Sequence, residues 1–211
     1  WVIPHQANRG DGAAAAEATA SVGAAASIEA AASVGAAIGA GIGTAIGKYW
    51  ICKRAPAHIG ESLECLGGPG YIEESMMPRL YREAPINSIW EGSGNVMCLD
   101  VLRAMQREEE ALPAIFAELE AARGGNALLD DTTTSLKDEL SDGANMEIRA
   151  RALTERMALA LQAALLVRHS PNATSDAFCA SRLGPRWIGA YGTLPVDTDF
   201  RTIIDRISDV M

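Results

Sequence analysis

The segment Met146 to His169 sets Ile148, Leu153, Met157, Leu161 and Leu165 at near-helical spacing, and Pro171 closes it. Side chains spaced this way share one face of an α-helix. An alternating apolar and polar run of useful length, the mark of a half-buried strand, is found nowhere in the 211 residues. Together these features confine the chain to an all-α fold, most simply a helical bundle. The composition agrees. The chain is 48% apolar but only 5% aromatic, with Ala and Gly carrying much of the apolar count. Helices of that kind pack closely through small side chains.

Residues 12–47 form a distinct Ala/Gly-rich segment, preceded by a tail over 1–11 and followed by an ordinary helical domain over 48–211. ASVGAA occurs at 20–25 and again at 32–37. Gly35, Gly39, Gly43 and Gly47 recur every fourth residue, beside Val34, Ile38, Ile42 and Ile46. On a helix the glycines make a shallow groove and the β-branched residues a ridge. Chained G-x-x-x-G suits close helix approach, in membranes above all. The uncharged run Ala30–Gly47 lies at the short edge of the roughly 20 residues that span a bilayer, and Ala and Gly gain little in lipid. A close-packed helix outside the membrane is the expectation.

Further along, the pattern predicts a helix over Lys48–Leu66 with a kink or restart at Pro56. The LGGPGY turn follows, and then an irregular stretch through Ser88. A helix near Ser93–Glu110 is expected to bury Val96, Leu99, Leu102 and Met105. Another, after Pro113, stops at Gly124–Gly125. DDTTTS reads as a loop into a short helix ending near Ser141. Helices over Ala173–Leu183 and Asp199–Ser208 complete the bundle.

A net charge of −9, with acids outnumbering bases from Asp100 onward, argues against nucleic-acid binding, which needs clustered Lys and Arg. Cys52, Cys65, Cys98 and Cys179 form no Cys-x-x-Cys pair, and His5, His58 and His169 are scattered, so no metal site is expected. Reduced, buried thiols in a cytoplasmic protein are the natural reading. No basic segment precedes an apolar run at the N-terminus, so a standard secretory leader is not expected. The start at Trp1 suggests a chain lacking its beginning.

Chemistry concentrates in NSIWEGSGNVMCLD, Asn87–Asp100. Glu91 stands between Trp90 and a Gly-Ser-Gly turn. An acid held against an aromatic wall has its neutral form favoured by desolvation and can act as a base. The competing reading is a carboxylate near a helix N-terminus, favoured there by the dipole.

The run ECLGGPGYIEESMMPRLYREAPINSIWEGSGNVMCLDVLR, Glu64–Arg103, resembles the C-terminal region of acyl-CoA dehydrogenases, and its details are most similar to the AidB-like branch. IGTAIGKYWICKRAP, FCASRLG and AYGTLP fit as well, so the resemblance spans about residues 43–207. It implies an FAD-dependent enzyme that introduces an α,β-double bond into an acyl-CoA. Glu91 takes the place of the base that removes the α-proton. Gly67, Gly68 and Gly70 form a turn whose backbone meets the FAD of a neighbouring subunit, and Ser93 and Asn95 contact the cofactor. Homo-oligomers are implied. Glu64 stands where the family often has Gln, and an ionised carboxylate cannot donate a hydrogen bond to the adenine side. Arg79 and Arg82 are expected to pair with Glu83 or to anchor the loop.

The family's middle β-domain and first helices have no counterpart here. The expectation is therefore a C-terminal fragment, inactive or weakly active alone. The AidB-like branch is associated with DNA binding through a basic C-terminal region, which the acidic balance does not support. WVIPHQAN, Trp1–Asn8, resembles the histidine motif of type III ketoacyl-ACP synthases, with His5 in the active position, but no upstream cysteine domain accompanies it. Two non-enzymatic readings stay open: a helical interaction module packed through the glycine-groove helix, and a membrane-associated glycine-zipper protein.

Overall fold

In the computed structural model, residues 40–185, 187 and 189–208 are described. All the regular structure among them is helical. The expectations for the tail, for His5 and for the tract up to residue 39 lie outside these residues.

The order is α1 (Ala40–Leu66), α2 (Gly68–Tyr71), α3 (Met77–Glu83), a 3-10 segment (Ala84–Ser88), α4 (Gly94–Arg107), α5 (Ala111–Glu120), α6 (Ala127–Ser141), α7 (Met146–His169), α8 (Asn172–Arg182) and α9 (Phe200–Ser208). Helix α7 is the hub and packs against α1, α4, α5, α6 and α8. It can do so because its sides are lined with small residues: Ala150, Ala158, Ala160, Ala163 and Ala164 are all buried, beside Leu153, Met157 and Leu161. Neighbours thus reach the helix from several directions, and the high alanine content becomes close packing. Ile148 is an exception. Expected on the buried stripe, it is 85% exposed, because it lies on the same outer side of α7 as the exposed Arg151 and Ala152.

The described end of the glycine-rich tract opens α1. Ile42 and Ile46 are fully or nearly buried, and they pack into the same core as Val101, Ile115, Leu129 and Met157. The ridge read from the sequence is therefore a core face at these two positions. Helix α1 runs through Pro56 without restarting. Among the described residues, no helix is long and apolar enough to cross a membrane.

Two segments differ from expectation. DDTTTS is helical throughout. Asn126 Oδ1 caps α6 by accepting from the Leu128 N–H at 3.1 Å. The hydroxyls of Thr132, Thr133 and Thr134 then donate back to the carbonyls of Leu128, Leu129 and Asp130 at 2.7, 2.8 and 2.9 Å. Bonds of this kind spend the threonines' polarity inside the helix rather than against it. The stretch before Ser88 is irregular only over residues 72–76, because Pro78 and Pro85 sit in the opening turns of α3 and the 3-10 segment. Proline is tolerated there, since the N–H it lacks would have no helical partner. Arg82 grips Glu73 through two contacts at 2.6 and 3.2 Å, and Arg79 meets Glu83 at 2.9 Å. The first ties the loop to α3; both are exposed, and such pairs add little stability.

All four cysteines are free. Cys98 and Cys179 are buried as expected, but Cys52 is only half-buried and Cys65 is exposed.

Candidate functional site

The 3-10 segment and α4 meet at a tight turn built by residues 89–93. Glu91 holds φ +51° and Gly92 φ +112°. A left-handed conformation is uncommon for a residue with a side chain, and such residues persist where surrounding structure fixes them. One fixing contact is the Lys48 ammonium, which donates to the Trp90 carbonyl at 2.6 Å. Gly92 then supplies the second positive φ that the turn requires, a conformation open to glycine. Ser93 then opens α4 as its N-cap, yet its hydroxyl makes no capping bond. Ser93 itself is exposed, while Gly94, the first residue of α4, is buried.

The aromatic wall expected beside Glu91 is not formed among the described residues. Trp90 is 58% exposed, and Glu91 is exposed beside it. The carboxylate makes no hydrogen bond or ion pair with the described residues. Beneath the turn lies a shallow crevice, too tight to enclose even a water molecule, lined by Lys48, Tyr49, Cys52, Asn87, Ser88, Gly92, Gly94 and Met97. Pockets for drug-sized ligands run from roughly 300 to 1,000 Å³, so this crevice admits neither a flavin ring nor an acyl thioester. The desolvation expected around Glu91 is therefore absent here: the acid stands on the open side of its turn. Val96, expected to be buried on α4, is exposed on the same side, while Leu102 is buried as expected.

Basic groups approach the turn from behind. The Arg151 guanidinium lies 5.8 Å from the Tyr49 ring centroid and donates to Asn95 Oδ1 at 3.1 Å. Burial raises the Tyr49 phenol's pKa, and Arg151 partly opposes the rise. Lys53 packs its stem against Gly94, where a Cβ would meet Lys53 Cε at 2.5 Å.

The three glycines of the LGGPGY turn divide. Gly67 has φ +65°, and nothing lies within 4 Å of where its Cβ would be. Gly68 is equally open, and both are exposed. Gly70 is buried, and a Cβ there would sit 2.4 Å from the Leu63 carbonyl oxygen. Gly70 thus lets α2 fold back on the end of α1, whereas bare backbone at Gly67 and Gly68 faces outward and suits a ligand's close approach. That open backbone and the uncapped Ser93 fit a phosphate-bearing cofactor. Asn95 fits through its amide group, its carbonyl oxygen already receiving Arg151.

Around both turns runs a face of exposed large apolar side chains: Tyr71 (77% exposed), Ile72, Met76, Tyr81, Ile86, Ile89, Trp90 and Val96.

A separate cluster escapes sequence reading because its members are far apart in the chain. Arg54 and Arg182 gather with Trp50, Trp187 and Tyr191. The available signals were Trp50 and Arg54 one turn apart on α1, and the aromatic pair in RWIGAY. No group of His, Cys, Asp and Glu that could hold a metal occurs among the described residues.

Residues 2–106 match the family described as acyl-CoA dehydrogenase, C-terminal domain. The match extends toward the N-terminus past residue 43 and takes in most of WVIPHQAN. A protein of Escherichia coli (strain K12) named as the acyl-CoA dehydrogenase AidB is 37% identical over 143 residues, 68% of this chain and 26% of its own. Acyl-CoA dehydrogenase family member 11 of Caenorhabditis elegans is 36% identical over 95 residues, 45% of this chain and 15% of its own. Among solved structures, Caenorhabditis elegans ACDH-11 in complex with C11-CoA aligns with a TM-score of 0.53 at 28% identity, over 68% of this chain and 27% of that one. The apo form of Bd2924 aligns with a TM-score of 0.51 at 29% identity, over 60% of this chain and 25% of that one.

The chain belongs to the acyl-CoA dehydrogenase family, a family of FAD-dependent flavoproteins, and supplies part of its helical C-terminal domain. Within that family it sides with the AidB-like branch. It spans about a quarter of the length of the AidB relative.

Proposed function

We propose that this chain is the C-terminal helical part of an enzyme that dehydrogenates an acyl-CoA thioester between its α- and β-carbons. Glu91 is the base. Its carboxylate takes the α-proton, from a turn that fixes its backbone in a left-handed conformation ahead of α4. That turn is the observation carrying the reading, because it presents a lone acid with no hydrogen-bond or ionic partner among the described residues. FAD, when bound, supplies the acceptor for the β-hydrogen as hydride. The open backbone of Gly67 and Gly68, the Ser93 hydroxyl and the Asn95 amide are the groups that hold it, while Gly70 shapes the turn that carries them.

Glu91 needs water excluded to be an effective base. Here it is exposed, so that exclusion comes from polypeptide packed over the exposed apolar face. Such packing includes further copies of the chain in a homo-oligomer. The 211-residue chain alone is accordingly inactive or nearly so, and we place it in the cytoplasm on the strength of its free thiols.

The test is Glu91→Gln in the flavoprotein that carries this segment at full length. Acyl-CoA-dependent bleaching of the flavin should slow by about 10²–10⁴-fold, with flavin content unchanged. Bleaching at the unaltered rate moves the base elsewhere. A second reading, a non-catalytic helical docking module, is favoured by the same apolar face. It predicts a longer protein that retains no yellow cofactor.

A further inference from the structure

Arg54 on α1 and Arg182 at the end of α8 share one aromatic surround. The Arg54 guanidinium carbon lies 4.6 Å from the Tyr191 ring centroid, 5.5 Å from Trp187 and 5.6 Å from Trp50. That of Arg182 lies 4.4 Å from Trp187 and 5.5 Å from Tyr191. Arg54 Nη1 donates to the Gly189 carbonyl at 2.9 Å, and Arg182 Nη1 reaches the Ala190 carbonyl at 3.4 Å. Arg54 Nη2 is buried and meets no acceptor. Neither arginine is in an ion pair among the described residues, although most of the chain's other arginines there are.

Two guanidiniums held close and partly out of water, with the nearby Glu155 carboxylate engaged by Trp187 Nε1 at 3.4 Å rather than paired to either arginine, are an expensive arrangement. Burial, and then the neighbouring Arg54, makes Arg182 easier to deprotonate than usual. Ring faces offset part of the cost, because a cation stacked on an aromatic face is attracted by the ring's quadrupole. They do not supply the missing acceptor. What completes such a pair is an oxyanion. The planar forks match its oxygens two at a time, and two positive charges favour a dianion over a single carboxylate.

We propose that Arg54 and Arg182 form an oxyanion site for a phosphate group, walled by the rings of Trp187 and Tyr191. On α1 this site lies across the helix from Lys48 and Cys52, which line the crevice under Glu91. The ligand is free phosphate or a phosphomonoester.

The 211-residue chain is titrated with inorganic phosphate at constant ionic strength set by chloride, following the ³¹P linewidth and tryptophan emission together. Saturable binding is expected, and at least tenfold weaker binding in Arg182→Met with the helical circular dichroism unchanged. Phenyl phosphate bound tenfold more tightly than phosphate identifies an esterified ligand; equal affinity identifies the free anion. Should Arg54→Met unfold the chain, Arg54→Lys keeps the charge but loses the fork, and it should bind several-fold more weakly. The proposal is overturned by a response that chloride reproduces, by wild-type affinity in Arg182→Met or Arg54→Lys, or by acetate binding more tightly than phosphate.

Discussion

Alanine at each of Gly67, Gly68 and Gly70 gives three different outcomes from three positions within four residues. At Gly70 a methyl group would stand 2.4 Å from the Leu63 carbonyl oxygen and 2.9 Å from Leu66 Cβ. Both belong to the last turn of α1, so the neighbour that must yield is largely helical backbone. Overpacking of this kind costs roughly 1–3 kcal/mol. For a chain of this size each kcal/mol moves the melting midpoint by about 2–4 °C, so Gly70→Ala should melt roughly 2–12 °C lower. At Gly67 there is room, but φ is +65°, and a left-handed backbone costs a non-glycine residue about 1–2 kcal/mol. Gly68 has room and no positive φ. Alanine there should be neutral or should stabilise by about 0.4–1 kcal/mol, through lost freedom of the unfolded chain. Urea denaturation followed by circular dichroism ranks the three. The folding demand at Gly68 is nil, so a cofactor role there should emerge as weakened FAD retention by the longer protein with stability intact. Gly70→Ala as stable as wild type, or Gly68→Ala as the worst of the three, refutes this reasoning.

Thiol reagents should modify Cys65 first and Cys52 more slowly, leaving Cys98 and Cys179 until the chain unfolds. Burial pushes the Cys179 thiol up to about 11, which leaves about one thiolate in a thousand at pH 8; peptide mass mapping showing Cys179 modified as fast as Cys65 contradicts the packing of α8. Glu120 should titrate at about 2, because the side chains of Arg123 and Lys137 both donate to it. Its folded pKa is depressed, so its contribution to stability is present above the unfolded value of about 4.3 and fades as pH falls toward 2. Carboxyl NMR should show the midpoint rising in Lys137→Met.

Much of the bundle was legible because apolar periodicity and helix stops coincide. The bounds of α7 follow from its apolar stripe and from Pro171, and those of α8 lie within a residue of expectation. What misled were residues whose effect depends on position. Pro78 and Pro85 break a helix interior but open a first turn. Three consecutive threonines suit a loop until each hydroxyl finds the carbonyl four residues back. Which side of α4 is covered depends on how α1 and α7 dock against it, so Val96 carried no local sign of exposure. For the same reason the turn around Glu91 was legible as a motif while its contact with water was not. The arginine–aromatic cluster was invisible because it joins positions 50–54 to 182–191, a pairing that only the docking of α8 and the following loop near α1 brings about.

The apolar face from Tyr71 to Val96 has a bearing on handling as well as on chemistry. Patches of this kind drive self-association when nothing caps them. A solitary copy should therefore cluster as its concentration rises, and light scattering should grow faster than protein mass. A chain resting on this oily shoulder would both silence that stickiness and gain adhesion from it.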